Sequence, residues 1–205
     1  MSKLSKQIKG LKAYKADLAN AAACTFGATH HVSKLRQIRA LAKKTSASSF
    51  IEAGTFRGYT TAACAPHFDR VATIEIEPKL HAAAQVSLSK HKNIECVLGD
   101  VLDTLPQLMA RPEMDRVLIF LDGHYSHGET GMGTVEEPAC EAIELLAPFA
   151  DKIAALVVDD FRMFGSPDWP KRSELLAAIE THLPDLDFTI HLDQLVAWRQ
   201  PKHGG

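Results

Sequence analysis

Acidic residues stand at the ends of two apolar segments in the second half of the sequence. Asp122 follows residues 116–121, and Asp159 and Asp160 stand at the end of the segment that begins at residue 154. In a doubly wound sheet the carboxyl ends of neighbouring strands lie at one rim, so the three carboxylates would converge there. Like charges that close repel each other unless a cation or a proton neutralises them, and a hard divalent ion prefers oxygen ligands. Asp122, Asp159 and Asp160 are therefore candidate metal ligands.

Two other interpretations of this acidic region stay open. Asp159 and Asp160 could cap a turn and contact a cofactor without any metal. Asp122, His124 and His127 could hold a transition metal, although Asp-x-His-x-x-His in a glycine-rich loop is a weak pattern. His124 is also able to take a proton near neutral pH, so His124 and Asp122 are the candidate catalytic residues.

A glycine-containing loop follows an apolar segment at residues 50–53. Gly54 and Gly58 permit a tight turn and a close approach of a ligand to the backbone, at the sheet edge where such folds bind ligands. The dinucleotide fingerprint G-x-G-x-x-G is absent. Residues 55–57, Thr-Phe-Arg, add side chains where a pyrophosphate needs bare backbone, which disfavours phosphate binding and an NAD-dependent oxidoreductase.

A second acidic position lies about twenty residues beyond the loop. Glu75 ends the apolar segment 70–75, and this spacing is that of a ribose-binding carboxylate. A carboxylate can accept two hydrogen bonds from the vicinal hydroxyls of ribose. Glu77 stands next to Pro78 and more plausibly starts the following helix. The alternative for Glu75 is a strand-end carboxylate with no ligand.

Glu52, Gly54 and Gly58 form the pattern E-x-G-x-x-x-G, which resembles the first motif of the class I S-adenosylmethionine-dependent methyltransferases. The same family has an acid at the position of Glu75, an acid at the position of Asp100 after the third strand (here residues 94–98), and a hairpin that closes the sheet. With these features the resemblance covers roughly residues 49–200. It implies a cofactor site in which the loop contacts the methionine part, Glu75 the ribose, and the residues after the third strand the adenine. The site residues so implied are Glu52, Gly54, Thr55, Gly58, Glu75, Asp100 and Val101.

The acids after the fourth and fifth strands also resemble those of the magnesium-dependent O-methyltransferases of the catechol and macrocin types. This resemblance implies that Asp122, Asp159 and Asp160 are magnesium ligands. The macrocin pattern has a second acid two residues after the first, whereas this chain has His124 there. The identity of the catalytic base therefore stays open.

Short apolar segments alternate with helical patterns from residue 49 onward, as expected for a parallel sheet with crossover helices. Helices should start near residues 58, 78, 101 and 135, and a further one should span 171–182. Asp193 and Gln194 alone should connect the last two strands, which predicts an antiparallel hairpin. The predicted strands are 49–53, 70–75, 94–98, 116–121, 154–159, 188–192 and 195–199.

The predicted fold is therefore a doubly wound, Rossmann-like α/β domain with a seven-stranded sheet. A helical extension over residues 1–48 precedes the domain at 49–200, and a tail at 201–205 follows it. In the extension, apolar residues recur at helical spacing, first from Leu4 to Leu18 and then from Val32 to Leu41.

The composition is that of a folded enzyme or binding domain. The chain has 205 residues, of which 46% are hydrophobic and 23% charged, and its formal net charge is −2. This charge disfavours nucleic acid as a partner. The four cysteines are scattered, which predicts a cytoplasmic protein, and the lack of a long apolar run predicts that the chain does not cross a membrane. Assembly into a homo-oligomer stays an open possibility.

The predicted function is methyl transfer from S-adenosylmethionine to a hydroxyl of a small molecule, assisted by magnesium. The alternatives are a metal-independent methyltransferase and a non-catalytic protein that only binds S-adenosylmethionine.

Overall fold

A seven-stranded sheet forms the centre of the protein. The computed structural model describes residues 3–23, 27–123 and 135–200. The strand order is β3-β2-β1-β4-β5-β7-β6. The strands are β1 (Ser49–Ala53), β2 (Arg70–Glu75), β3 (Ile94–Leu98), β4 (Val117–Leu121), β5 (Ile153–Val158), β6 (Leu186–His191) and β7 (Gln194–Arg199).

The first five strands are parallel, and β7 runs antiparallel to both β5 and β6. This arrangement confirms the predicted doubly wound sheet with its C-terminal hairpin. The order of the strands reverses between β1 and β4, which is where open α/β sheets bind their ligands. The candidate site therefore lies at the carboxyl ends of β1, β2, β4 and β5.

Helices precede the sheet and connect its strands. The helices α3, α4 and α5 begin at Tyr59, Pro78 and Val101, within one residue of the predicted starts. The helix predicted near residue 135 begins later, at Ala139. The helices are α1 (Lys3–Ala22), α2 (His31–Thr45), α3 (Tyr59–Cys64), α4 (Pro78–Leu88), α5 (Val101–Met109), α6 (Ala139–Leu146) and α7 (Arg172–His182).

Two apolar clusters cover the sheet. The larger lies on the side of α5, α6 and α7 and includes Leu105, Ile143 and Ile179. The smaller includes Ile38 and Leu41 of α2, and these side chains pack with buried residues of β1, β4, β5 and β7. Every residue of β1, β4 and β5 is buried, as expected for central strands covered on both faces. This packing fixes α2 against the sheet, near the carboxylates described below.

The hairpin turn differs by one residue from the prediction. His191 pairs with Gln194, so the two turn residues are Leu192 and Asp193, and Gln194 is the first residue of β7. Leu192 has a φ of 55°, which is a left-handed conformation. Turns usually have Gly or Asn at such a position, so the sequence does not indicate that Leu192 is a turn residue. The antiparallel register Val158 with Leu195 aligns this end of β7 with the end of β5.

The two N-terminal helices are joined by a buried carboxylate. Asp17 of α1 accepts hydrogen bonds from the His30 backbone N–H at 3.1 Å and from Ser33 Oγ at 2.5 Å, and its Oδ1 lies 2.6 Å from His30 Nδ1. The division into an extension at 1–48 and a domain at 49–200 stays a prediction, and the predicted tail lies outside the described residues. None of the helices in the described ranges has the length and hydropathy that crossing a bilayer requires.

Candidate active site

The loop after β1 touches the loop after β4 through two glycines. A side chain on Gly54 would place its Cβ 2.4 Å from the carbonyl oxygen of Asp122, and Gly54 has a φ of 93°. A Cβ on Gly123 would lie 3.2 Å from the carbonyl carbon of Ala53. The sequence suggested that Gly54 leaves space for a ligand. The structure gives a further reason, because the two loop backbones need this space for each other.

Glu75 is fixed at the rim by backbone donors. Its Oε2 accepts the N–H of Phe56 at 2.7 Å, and its Oε1 accepts the N–H of Glu77 at 3.0 Å. Each carboxylate oxygen can accept a second hydrogen bond, so Glu75 retains acceptors for two hydroxyls. Glu77 instead caps α4, accepting the N–H of Lys79 at 3.3 Å. These roles fit a ribose-binding Glu75.

Glu52 lies beneath the loop and has hydroxyl partners. It accepts hydrogen bonds from Thr61 and, at 3.3 Å, from Thr73. Burial raises the pKa of Glu52 to about 7, although the hydroxyl donors oppose this shift. Thr55 is also buried, with its hydroxyl 2.6 Å from that of Thr73. The contacts give Glu52 and Thr55 a supporting position under the loop, and direct cofactor contact stays a prediction.

The remaining predicted cofactor residues begin helices. Gly58 adopts a φ of 71° at the start of α3, where a Cβ would press on Leu88. Asp100 caps α5 and accepts the N–H of Leu102 at 2.9 Å. Val101 follows it and belongs to the larger apolar cluster. Gly58 follows β1, and Asp100 and Val101 follow β3, so these residues lie near the carboxyl ends of those strands. Their contact with adenine or methionine stays a prediction.

The structure brings together the three acids predicted after β4 and β5. Oxygens of Asp122, Asp159 and Asp160 lie within 4.8 Å of one another. Successive side chains of a strand point to opposite faces, but Asp160 has a left-handed φ of 52°, which ends this alternation. Both neighbouring carboxylates can therefore reach the same cluster.

Two cationic side chains and one amide already pair with these acids. The ammonium of Lys34 in α2 forms an ion pair with Asp159 and lies 3.5 Å from Asp122 Oδ2. The amide of Gln194 donates to Asp159 Oδ1 at 3.1 Å. On the other side of the cluster, the Arg162 guanidinium donates to Asp160 Oδ1 at 2.6 Å.

Arg162 is itself held by the hairpin turn. Its guanidinium forms an ion pair with Asp193, and its backbone N–H donates to Asp193 Oδ1 at 2.7 Å. The segment after β5 is thereby tied to the connection between β6 and β7. Each of the two cations, Lys34 and Arg162, is shared by two carboxylates.

This charge balance affects proton affinities. Burial and the repulsion from Asp159 raise the pKa of Asp122 well above its ordinary value, although Lys34 opposes this shift. Burial disfavours the charged form of Lys34, but Asp122 and Asp159 outweigh this effect and raise its pKa. Lys34 is thus an ammonium at neutral pH, while Asp122 holds its proton more readily than an exposed aspartate does.

The arrangement does not fit a resident magnesium ion. The three carboxylates are the oxygen ligands that such an ion prefers. However, the Lys34 ammonium contacts two of them, and Arg162 holds the third. A divalent ion placed among these oxygens would be repelled by both side-chain cations, because like charges at this distance repel each other. The magnesium ligation stays a prediction from the sequence.

Lys34 was missed by the sequence analysis, although its position carries a signal. It precedes Ile38 by four residues and Leu41 by seven, so it lies on the apolar face of α2. A lysine on a buried helix face requires a carboxylate partner. His30 and His31, which could have reached the site from this region, instead contact Asp17 and Thr60.

Other predicted features lie elsewhere or outside the described residues. His124 and His127 fall in the segment 124–134, which the structure does not describe. Phe164 is buried and stacks with Phe161 and, edge-on, with Trp169 at ring distances of 6.3 and 5.2 Å. Phe164 belongs to the larger apolar cluster, and Phe161 and Trp169 pack against that cluster.

Solved structures with the same architecture identify the fold. A scan against protein-family models and a search of curated proteins gave no match. Solved structures do match over most of the chain. The O-methyltransferase from Bacillus cereus in complex with SAH is 17% identical and covers 92% of this chain and 91% of that chain, with a TM-score of 0.61. The chain has the fold of the class I S-adenosylmethionine-dependent methyltransferases.

Two further structures share this methyltransferase fold. The O-methyltransferase TomG from Streptomyces achromogenes, in complex with SAM, is 20% identical over 92% of this chain and 89% of its own, with a TM-score of 0.59. Cofactor-bound Rv0187 from MTB is 26% identical over 93% and 91% of the two chains, with a TM-score of 0.57. The methyltransferase fold places Glu75 and the three acids at one rim of the sheet.

Proposed function

We propose that this protein transfers a methyl group from S-adenosylmethionine to a hydroxyl oxygen of a small molecule. The observation that carries the proposal is the position of Glu75 at the end of β2, beside the loop of Gly54 in a sheet of this order. The solved structures with SAM or SAH bound support the same cofactor, since those proteins are O-methyltransferases of the same fold. The net charge of −2 favours a small acceptor over nucleic acid.

The residues of the first three strands fit the cofactor. Glu75 would bind the ribose hydroxyls through its free lone pairs, and the loop at Gly54 would contact the methionine part. Asp100 and Val101 would lie at the adenine. S-adenosylmethionine, when bound, supplies an activated methyl group on a sulfonium. The protein's main contribution is then to hold donor and acceptor in line, because positioning lowers the barrier of such transfers.

Among the residues that the structure describes, Asp122 is the best placed to receive the acceptor proton. Its side chain is 22% exposed, whereas that of Asp159 is 1% exposed, so Asp122 faces the open side of the cluster. Its raised pKa brings a carboxylate nearer to the range in which a base works at neutral pH. Asp122 would accept the hydrogen bond of the hydroxyl and then its proton. His124 stays the alternative base predicted from the sequence.

Calorimetry with S-adenosylhomocysteine, followed by a turnover assay, tests this proposal. We expect the product to bind and to raise the melting temperature, whereas NAD has no effect, because only a ligand of the native state stabilises it. Formation of S-adenosylhomocysteine with hydroxyl compounds would then show transfer. No binding at millimolar concentration contradicts the proposal. Binding without turnover over a broad panel would favour the non-catalytic alternative.

Magnesium-assisted transfer is the second candidate function. The convergence of Asp122, Asp159 and Asp160 within 4.8 Å is the observation for it, and the contacts of these acids with Lys34 and Arg162 are the observation against it. The assay repeated with a chelator separates the two candidates: lost activity that magnesium restores would select the metal-dependent reaction, and undiminished activity would select the metal-independent one.

A cytoplasmic location forms part of the same proposal. Cys64, Cys96 and Cys140 are free thiols, which fits a reducing compartment. Fractionation of cells that express a tagged chain would test it.

A further inference from the structure

We propose that the ammonium of Lys34 takes the place of a resident divalent cation between Asp122 and Asp159, so that this acidic rim works without a metal. The proposal goes beyond the proposed function by assigning the charge balance of the same site to a side chain of α2. Only its predictions about enzymatic activity depend on the proposed function.

The burial of Lys34 and Asp159 indicates that their ion pair is part of the site and differs from an exposed surface ion pair. The Lys34 side chain is 16% exposed, and the Asp159 side chain is 1% exposed. A buried ammonium and a buried carboxylate are each tolerated only when they are paired. Loss of Lys34 would therefore leave the buried Asp159 carboxylate without its cation.

The helix that carries Lys34 is firmly placed. Ile38, one turn later, is fully buried against the sheet, and Leu41 is 3% exposed. At the start of the helix, Ser33 donates to the buried Asp17 of α1. These two anchors fix the backbone from which the Lys34 side chain reaches the acids. This rigidity is what a positioning residue requires.

The carboxylates around Lys34 have protein donors on several of their oxygens. Asp159 Oδ1 accepts the Gln194 amide, and its Oδ2 faces Lys34. Asp160 Oδ1 accepts the Arg162 guanidinium. A magnesium ion that used all three acids would have to displace or crowd two cations, and repulsion between like charges opposes this. A magnesium ion would neutralise the charge of the converging carboxylates, and the Lys34 ammonium already does so.

Titration of the purified full-length protein with magnesium chloride in a calorimeter tests the proposal directly. We expect no binding by the unmodified protein at millimolar magnesium. Lys34→Met should expose the acidic position and bind magnesium at least about tenfold more tightly than the unmodified protein, because carboxylates without their cation attract a hard ion. Lys34→Arg, which keeps the charge, should not gain this site. Lys43→Met is the matched control, since it removes one exposed lysine of the same helix.

Stoichiometric magnesium binding by the unmodified protein that is lost in Asp159→Asn would overturn the proposal. So would a Lys34→Met protein that is folded and binds magnesium no better than Lys43→Met. If Lys34→Met does not fold, the titration of the unmodified protein still decides, together with its activity in chelator, which should be undiminished.

The activity readout adds a second arm. Lys34→Met should lower kcat/KM at least about tenfold without metal, while changing the affinity for S-adenosylhomocysteine less than about threefold, because its partners lie on the acceptor side. Lys34→Arg should recover part of this loss. A failure of the proposed function appears separately, as absent binding of S-adenosylhomocysteine, and leaves the magnesium titration interpretable.

Discussion

The two halves of the rim stabilise their carboxylates by different means. On the side of β1 and β2, Glu75 is held by the backbone N–H groups of Phe56 and Glu77, and Glu52 by threonine hydroxyls. On the side of β4 and β5, Asp159 pairs with Lys34 from α2, and Arg162 joins Asp160 to the hairpin. Neutral backbone and hydroxyl donors serve the first half, whereas the second half also uses the charged side chains of Lys34 and Arg162.

This difference indicates different tasks. Backbone donors fix the position of Glu75 while leaving its charge available to a neutral ligand such as a ribose. Converging carboxylates need positive charge before they can coexist, so the second half depends on how helices and the hairpin pack. Substitutions can therefore separate the halves, and the following predictions run from the largest expected effect to the smallest.

Gly54→Ala should disrupt both halves, because their loops touch at this residue. The new Cβ would lie 2.4 Å from the Asp122 carbonyl oxygen, so a loop must move. We expect a loss of more than about 3 kcal/mol in the free energy of unfolding, measured by urea denaturation. Gly165→Ala is the matched control, since Gly165 has a φ of 95° and no atom within 4 Å of its Cβ position. That control should lose only about 1 kcal/mol, and equal losses would contradict the contact.

Glu52→Gln tests the half that lacks a cation. The pKa of Glu52 in the folded protein is about 7, above the ordinary value of 4.5, so the folded state binds more protons than the unfolded state between these pH values. The unmodified protein should therefore lose stability as pH rises from 4.5 to 7, by up to about 3 kcal/mol. Denaturation across this range should show a smaller loss in Glu52→Gln. The exposed Glu144→Gln should keep the slope of the unmodified protein.

Glu75→Ala should act on cofactor affinity. We expect the binding of S-adenosylhomocysteine to weaken by roughly 1.5 to 3 kcal/mol, the scale of hydrogen bonds to a charged group. Stability should change by less than about 1 kcal/mol, since Phe56 is 41% exposed and water can replace the carboxylate as the acceptor of its N–H. Calorimetry on Glu75→Ala and Glu77→Ala measures the effect. Equal affinities in the two variants would transfer the ribose role away from Glu75.

Arg162→Gln should affect only the half of the rim at β4 and β5, where we place the acceptor. It removes the pairing with Asp160 and Asp193, and because Arg162 is 27% exposed we expect a loss of about 1 kcal/mol in stability. The acceptor KM should rise while the affinity for S-adenosylhomocysteine stays within about threefold. Arg172→Gln is the control, since Arg172 donates to the Arg162 carbonyl and does not pair with the acids. A change in cofactor affinity alone would show that the halves are not separable in this way.

The same division explains what could be predicted from the sequence. The first three strands were predicted with the bounds that the structure has, since each is an apolar run that ends at a turn residue or a carboxylate. Glu75 was predicted as a ribose-binding residue from its spacing to Gly54, which is a local pattern, and the structure places it at the end of β2. The convergence of the three acids followed from the order of the strands.

The partners of the acids could not be predicted in this way. Lys34 reaches Asp159 only because α2 packs across β4 and β5, which no pattern within α2 specifies beyond a lysine on its apolar face. The hairpin turn was placed one residue late because its register depends on the pairing of β7 with β5. Contacts between distant elements were thus the part that local spacing could not supply.

The mutual contact of Gly54 and Gly123 has a consequence for how specificity can diverge. Without side chains at these two positions, the loop backbones pack directly on each other, so a shift of one loop would disturb the other. Under the proposed function, the main chain would then set the separation between methyl donor and acceptor. Side chains around the acceptor could be exchanged for new ones without a change in that distance.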